Sequence, residues 1–205
     1  MNSYETIVIG TGAVGSAALY QVSKRSSNVL GIDQFSPPHS LGSSHGDTRI
    51  TRQAIGEGAQ FTPLSLRSYE IFQDLEKLTA KTLLRMIGGL MISGEGSIGV
   101  HGVADFFENT LAAAKAFNIR HETLNSAEIR KRFPQFNITN NDFAYYEYNA
   151  GYLFLDECIR AQLMLAEDNG AEIHRNENVI SVKESGNEVV VTTNHGEYNT
   201  QKVVL

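Results

Sequence analysis

The sequence predicts an α/β fold in which a Rossmann-like parallel sheet is interleaved with an α+β segment. A β-branched apolar run, residues 6–9, leads into Gly10-Thr11-Gly12-Ala13-Val14-Gly15, and apolar residues at helical spacing follow to Lys24. A second apolar run, residues 28–32, ends in Asp33. The middle of the chain carries aromatic-rich runs that suit a sheet outside the nucleotide domain.

The glycines lie where a strand passes into a helix, which is the context that a dinucleotide-binding turn requires. Gly10 allows a tight turn, Gly12 lets a pyrophosphate approach the backbone, and Gly15 lets the helix pack closely on the strand. The free N–H groups and the dipole of the helix N-terminus favour the anion. Asp33 lies 18 residues after Gly15 and predicts an acceptor for ribose hydroxyls, which favours NAD or FAD over NADP.

The middle elements are predicted from glycine and proline content, caps and apolar spacing. They are, in order, a functional loop at 34–60, a helix from Thr62-Pro63 to Leu78, strands at 83–87 and 89–92, a helix at 103–117, a short helix capped by Asn125 and Glu128, and strands at 143–148 and 151–154.

The last third of the chain is predicted to return to the nucleotide domain. A helix at 155–169 precedes strands at 172–174, 179–183, 189–193 and 202–205. We therefore predict a first cofactor-binding segment at 1–79, a substrate-domain segment at 80–155, and a second cofactor-binding segment at 156–205. A buried parallel strand normally continues into a turn that contacts ligand, so we expect the chain to be truncated.

Composition excludes several classes of function. The chain has 23 acidic and 17 basic residues, a net charge of -6 and no basic run, which argues against a nucleic-acid partner. It has no apolar stretch of ~20 residues, so we expect no membrane span and a cytoplasmic protein. Cys158 is a single cysteine and the histidines lack ligand spacing, so neither an internal disulfide nor a metal site is predicted.

A cationic loop follows the second strand. His45, Asp47, Arg49 and Arg52 lie within eight residues. Two arginines three residues apart can face one ligand, one toward a cofactor ring and the other toward an anionic substrate. A solvated loop with local ion pairs is the alternative interpretation.

Several runs of residues resemble the monomeric sarcosine oxidase and N-methyltryptophan oxidase family. They are Pro37-Pro38-His39, the run from Gly42 to Arg52, Gly56-Glu57-Gly58, Pro63-Leu64, Leu66-Arg67, and Ala150-Gly151-Tyr152-Leu153. The resemblance spans essentially all 205 residues. It implies an FAD-binding domain interleaved with a substrate domain, and oxidation of N-methyl amino acids by flavin and O2 to formaldehyde, amino acid and H2O2.

The resemblance also implies roles for single residues. Arg52 would bind the substrate carboxylate through its planar guanidinium, and His45 and Arg49 would be catalytic at the isoalloxazine ring, where a cation stabilises the reduced flavin. Val179 would contact the adenine side through its backbone. The implied cofactor-binding set is Gly10, Gly12, Val14, Gly15, Asp33, Gln34, Ser43, Ser44, Thr48, Arg49 and Val179.

Three positions depart from the family pattern. Ser44, Gln53 and Ile55 stand where histidine, histidine and tyrosine are usual, so the identity of the N-methyl amino acid is not predicted. The family places further catalytic groups in its later half, so we expect a monomeric enzyme whose first 205 residues alone give little turnover. Two alternatives remain at this point: an NAD-dependent dehydrogenase and an inactive FAD-binding fragment.

Overall fold

The computed structural model of the protein describes residues 2–94 and 102–205. Its helices and strands, in chain order, are β1 (Asn2–Ile9), α1 (Ala13–Ser23), β2 (Val29–Asp33), β3 (Arg49–Thr51), a 3-10 turn (Ala59–Phe61), α2 (Thr62–Thr79), β4 (Leu84–Met86), β5 (Gly89–Gly94), α3 (Phe106–Ala116), β6 (His121–Asn125), α4 (Ser126–Arg132), β7 (Asp142–Glu147), β8 (Gly151–Leu153), α5 (Leu155–Asp168), β9 (Glu172–Arg175), β10 (Val179–Ser185), β11 (Glu188–Thr193) and β12 (Glu197–Val204).

Contacts divide the chain into two compact units. The first comprises Met1–Thr48, Leu78–Leu83 and Phe154–Leu205, and the second comprises Arg49–Lys77 and Leu84–Leu153. Each unit therefore contains segments that are distant in sequence. Within the described ranges, no helix has the length and apolar character needed to cross a membrane.

The first unit is built on a six-stranded sheet in the order β10-β11-β12-β1-β2-β9. The pairs β12–β1, β1–β2 and β2–β9 are parallel, and β10–β11 and β11–β12 are antiparallel. Fully buried Ile7, Leu30, Ile32 and Val191 belong to its core. Helices α1 and α5 pack on each other, as expected for crossovers between parallel strands. This arrangement confirms the predicted α/β class and its parallel sheet, to which an antiparallel hairpin is added at one edge.

The second unit has two three-stranded sheets, β3-β8-β4 and β5-β7-β6. Tyr145 of β7 lies in a core with Ala54 and Ala113. The predicted capping box is confirmed, because Asn125 Oδ1 accepts hydrogen bonds from the backbone of Ala127 and Glu128, and Glu128 Oε2 accepts one from Asn125 N. Helix α4 therefore begins where the sequence predicts it.

The structure departs from the sequence-based expectations at two elements. Strand β6 was not predicted: its sequence, HETLN, has only Leu124 buried, and it forms by pairing with β7. The loop predicted at 34–60 contains β3 and the start of the 3-10 turn. Residues 49–77, which the prediction includes in the first cofactor-binding segment, group with the second unit, where β3 pairs with β8. The assignment of cofactor and substrate roles to the segments stays a prediction.

Candidate functional site

An open cavity of about 580 Å³ lies in the first unit, at the carboxyl ends of β1 and β2. Ligands of open α/β sheets bind at this edge. The lining includes nine residues of the predicted cofactor-binding set: Gly10, Gly12, Val14, Gly15, Asp33, Gln34, Ser43, Ser44 and Val179. The structure thus brings together residues from both ends of the chain.

The three glycines each have a separate structural reason. Gly10 has φ +82°, a left-handed conformation that favours glycine, and its N–H donates to Ile32 O at 2.7 Å. A Cβ on Gly15 would lie 1.7 Å from the carbonyl oxygen of Gly10, so helix and turn approach each other too closely for any side chain. A Cβ on Gly12 would meet nothing within 4 Å. Gly12 therefore leaves space above the backbone on the cavity side.

The N-terminus of α1 faces this space with its backbone donors. Gly12 is the N-cap of α1 and provides no side-chain hydrogen bond to the first turn. The first turn of α1, which the structure describes in full, contains no acidic residue. The first N–H groups of a helix have no partner within the helix, and together with the helix dipole they favour an anion. The donor set and the open backbone surface fit the pyrophosphate of a dinucleotide.

Asp33 closes the cavity at the end of β2 and also holds the glycine turn. Its side chain is 7% exposed. Oδ2 accepts a hydrogen bond from Thr11 N at 2.6 Å, and Oδ1 accepts one from Phe35 N at 2.9 Å. An ionised carboxylate has about four acceptor positions, so acceptor capacity remains for hydroxyl donors. The ribose contact of Asp33 stays a prediction, whereas its role in holding the turn was not foreseen.

Glu177 lies in the cavity wall, two residues after the carboxyl end of β9, and sequence reasoning missed it. It is only 2% exposed, its N–H donates to Asp33 O at 2.9 Å, and its carboxylate accepts a hydrogen bond from Thr193 Oγ at 2.5 Å. Burial opposes ionisation, but hydrogen bonds from Thr193 and Tyr198 and the nearby His174 lower the pKa of Glu177. The anionic Glu177 thereby fixes the turn that carries Asn178 and Val179 into the cavity wall.

Other lining residues were also missed. His39 lies in the wall with its Nε2 3.7 Å from Asp33 Oδ1, and its ring packs edge-on against Phe35. The position of Glu177 and Asn178 after a strand that pairs in parallel with β2 is the signal that could have identified them, since parallel strands end at one edge of the sheet.

Arg52 lies in the second unit, directly after β3. Its Nη2 donates to both carboxylate oxygens of Glu57, at 2.7 and 2.6 Å, and its guanidinium lies 5.5 Å from the ring centre of Phe106. Among the described residues, the buried Nε of Arg52 has no hydrogen-bond partner. The guanidinium is therefore half-buried, bound to one carboxylate, and retains unused donor capacity.

The remaining predicted residues lie outside the cavity wall. His45 and Thr48 belong to the first unit and are exposed. Arg49 belongs to β3 of the second unit, where it pairs with Leu153, and it is exposed as well. Their contacts with a flavin stay predictions.

Glu147, in the second unit, is a further residue that sequence reasoning missed. It ends β7 and is 1% exposed, and its carboxylate accepts hydrogen bonds from Gln53 N, Ala54 N and the Tyr145 hydroxyl. Burial, with the neighbouring carboxylate, raises the pKa of Tyr145 far above its ordinary value, and burial raises the pKa of Tyr69 to about 12. Both phenols remain protonated at neutral pH, and the Tyr145 hydroxyl donates to Glu147.

Comparison with known proteins gives matches over nearly the whole chain. The family model described as DAO, FAD dependent oxidoreductase, matches residues 5–205. Monomeric sarcosine oxidase of Streptomyces avermitilis is 37% identical over 203 residues, which cover 99% of this chain and 51% of the relative. N-methyl-L-tryptophan oxidase of Yersinia pestis is 36% identical over 202 residues, which cover 98% and 53%. The chain thus spans about half the length of the curated relatives it matches.

Solved structures share the fold. NikD, described as an unusual amino acid oxidase essential for nikkomycin biosynthesis, matches in its open form with a TM-score of 0.86 and 25% identity over 100% of this chain and 51% of NikD. L-proline dehydrogenase from P. horikoshii matches with a TM-score of 0.78 and 21% identity over 98% of this chain and 52% of the dehydrogenase. The predicted fold class is confirmed by these matches.

Proposed function

Because this chain belongs to the DAO family of FAD-dependent oxidoreductases, we propose that it binds FAD within the complete polypeptide. We propose further that it binds the carboxylate of an N-methyl amino acid that the enzyme oxidises. The similarity to monomeric sarcosine oxidase over almost the whole chain is the observation that carries the proposal. FAD is the cofactor of the family, so the NAD-dependent alternative is set aside.

The cavity of the first unit is where we place FAD. The backbone donors at the start of α1 would bind the pyrophosphate, and Gly12 leaves room for its approach. Asp33 would accept hydrogen bonds from the ribose, and Val179 would contact the adenine through its backbone. When bound, FAD supplies the acceptor for the two electrons that leave the N-methyl group.

The proposed reaction converts an N-methyl amino acid, O2 and water into the amino acid, formaldehyde and H2O2. A secondary amine loses two electrons at its methyl carbon, and hydrolysis of the resulting imine releases formaldehyde. Substrate orientation is the contribution of this chain, because a carboxylate held in one place fixes the position of the methyl carbon. We include in the proposal that the enzyme is a cytoplasmic monomer.

Arg52 is the group that we assign to the substrate carboxylate. Its guanidinium already binds two carboxylate oxygens of Glu57, and an amino acid carboxylate presents the same pair of oxygens. The substrate carboxylate can therefore replace the Glu57 carboxylate on the guanidinium and form the same kind of hydrogen bonds. The aromatic face of Phe106 supports the cation from the side.

The test is peroxide and formaldehyde release by the purified complete polypeptide. We expect a flavin absorbance spectrum and equimolar release of both products from sarcosine or N-methyl-L-tryptophan. Glycine and L-tryptophan, which lack the N-methyl group, are the matched control substrates and should release no formaldehyde. Turnover of N-methyl amino acids without formaldehyde, or no turnover of either by a flavin-loaded enzyme, would contradict the proposed reaction.

A further inference from the structure

We propose that Glu147 and Ser65 form a clamp that positions Arg52, and that this clamp sets the affinity of the enzyme for the substrate carboxylate. The inference rests on the proposed function, since it takes Arg52 to be the group that binds the carboxylate. Glu147 and Ser65 are positioning residues: they contact the backbone at Arg52 and the two residues after it, and they act on substrate through that backbone.

Glu147 holds the segment from its carboxyl-terminal side. Its Oε1 accepts from Gln53 N at 2.6 Å, and its Oε2 accepts from Ala54 N at 3.0 Å. Two consecutive backbone donors on one buried carboxylate leave the segment little rotational freedom. Hydrogen bonds to a charged acceptor in a buried site are the strong ones, so this contact restrains the backbone next to Arg52.

Ser65 holds the other side of the segment from helix α2. Its hydroxyl donates to the carbonyl oxygen of Arg52 at 2.6 Å. The backbone is thus tied on its donor side to β7 and on its acceptor side to α2, with Arg52 between them. The side chain of Arg52 therefore extends from a backbone that is already fixed. Its Nε has no hydrogen-bond partner among the described residues.

The rest of the loop is packed as closely. Ala54 is fully buried, and Ile55 N donates to Thr62 Oγ at 3.4 Å. A Cβ on Gly56 would lie 2.3 Å from Thr110 Oγ and 2.7 Å from Phe106 O, so the loop backbone lies directly against α3. Glu57, the residue that pairs with Arg52, follows immediately. The close packing of Gly56 therefore holds the backbone beside Glu57, the residue whose carboxylate pairs with the Arg52 guanidinium.

The substitution Glu147→Gln removes one of the two backbone hydrogen bonds that Glu147 accepts, without a change in size. An amide has one oxygen acceptor, and its nitrogen only donates. The amide oxygen can accept from Gln53 N and the amide nitrogen can donate to the Tyr145 oxygen, but Ala54 N then loses its acceptor. Glu147→Gln therefore preserves the packing of the fold, and the loss of the hydrogen bond to Ala54 N makes the backbone beside Arg52 less restrained.

The experiment measures carboxylate affinity in the complete flavin-loaded enzyme. Acetate, which carries a carboxylate and no oxidisable amine, is titrated while the flavin absorbance is recorded, with acetamide as the uncharged probe. For Glu147→Gln we expect Kd for acetate and KM for the N-methyl amino acid to rise about tenfold, the factor expected for one lost hydrogen bond. Flavin content, kcat and acetamide binding should stay close to those of the unmodified enzyme.

Two further variants separate positioning from general weakening. Glu122→Gln makes the same chemical change at a carboxylate of the same unit that pairs with Arg132 and Tyr148, and it should leave KM unchanged. Ser65→Ala removes the second half of the clamp with a small change in volume, and KM should rise about threefold. If Glu147→Gln does not fold, Ser65→Ala decides the proposal.

Unchanged acetate affinity in Glu147→Gln and Ser65→Ala would overturn the clamp, as would an equal weakening of acetate and acetamide, or a loss of flavin. Arg52→Lys is measured in parallel. If Arg52→Lys leaves acetate affinity unchanged, the assignment of Arg52, and with it the proposed function of this loop, fails. If Arg52→Lys weakens acetate binding while both clamp variants do not, the clamp alone is wrong.

Discussion

Replacing Gly15 with alanine should abolish FAD binding by displacing the glycine turn. The added methyl carbon would lie 1.7 Å from Gly10 O and 2.8 Å from Gly10 C, whereas ordinary contact begins at 3.4 Å. The atoms in the way belong to the backbone, so no side-chain rotation relieves the contact. Overpacking of this kind lowers the free energy of unfolding by about 1–3 kcal/mol. We expect the upper end of this range because the Gly10 N–H is also hydrogen-bonded to Ile32 O of β2.

Gly12→Ala is the matched control within the same turn. Its Cβ would meet nothing within 4 Å, and its φ of -68° is one that alanine adopts readily. We expect its unfolding free energy to change by less than about 1 kcal/mol. The methyl group would nevertheless occupy the surface where the pyrophosphate approaches, so Kd for FAD should rise at least about tenfold.

The assay combines urea unfolding of the apoproteins with FAD titration followed by flavin fluorescence. Gly15→Ala should lose both stability and FAD binding, and Gly12→Ala should lose only FAD binding. Wild-type FAD affinity in Gly12→Ala would refute the assignment of the cavity. Wild-type stability in Gly15→Ala would refute the close approach of helix and turn.

Three further substitutions test the two units separately. Arg52→Lys keeps the charge but loses the planar guanidinium, so KM for the N-methyl amino acid should rise about ten- to a hundredfold in steady-state kinetics, at unchanged flavin content. Loss of flavin with an unchanged KM would instead assign Arg52 to cofactor binding. Arg49→Lys should instead alter the flavin absorbance spectrum or flavin incorporation, and an unaltered flavin would count against its placement at the ring. Burial opposes ionisation of Glu177, but hydrogen bonds hold its pKa below the ordinary value, so its contribution to stability is complete above the ordinary pKa and is lost as pH falls through the lowered one. Glu177→Gln should cost about 1–3 kcal/mol at neutral pH and reduce the loss of stability on acidification in urea unfolding; an unchanged acid dependence would contradict this.

The local elements of the fold could be predicted from sequence. The strand, glycine turn and α1 are specified by neighbouring residues, and the Asn125 capping box involves residues three apart. Such signals depend on short-range sterics and hydrogen bonds. They need no knowledge of the tertiary partner, and the structure confirms them.

Features that depend on distant partners could not be predicted. Strand β6 has one buried residue and forms because β7 provides its hydrogen bonds. Glu147 contacts residues 93 and 94 positions away, and nothing in its own neighbourhood marks it as an acceptor. The unit boundary after Thr48 has the same origin, since β3 joins the second unit through β8, about a hundred residues later.

The candidate site was only partly predicted for the same reason. Nine residues of the predicted set line the cavity, because the glycine turn and the end of β2 follow a pattern common to dinucleotide-binding sheets. Glu177 and His39 also belong to the wall, and their place is determined by the pairing of β9 with β2 and by the course of the loop after Asp33. That information resides in the tertiary structure.

Anaerobic reduction of the flavin in the complete polypeptide tests the central claim most directly. If the chain binds FAD and presents an N-methyl amino acid for oxidation, the flavin absorbance of the purified enzyme should bleach when sarcosine or N-methyl-L-tryptophan is added without oxygen. The colour should return when O2 is admitted. A purified polypeptide without bound flavin, or a flavin that stays oxidised with every N-methyl amino acid supplied, would contradict the account.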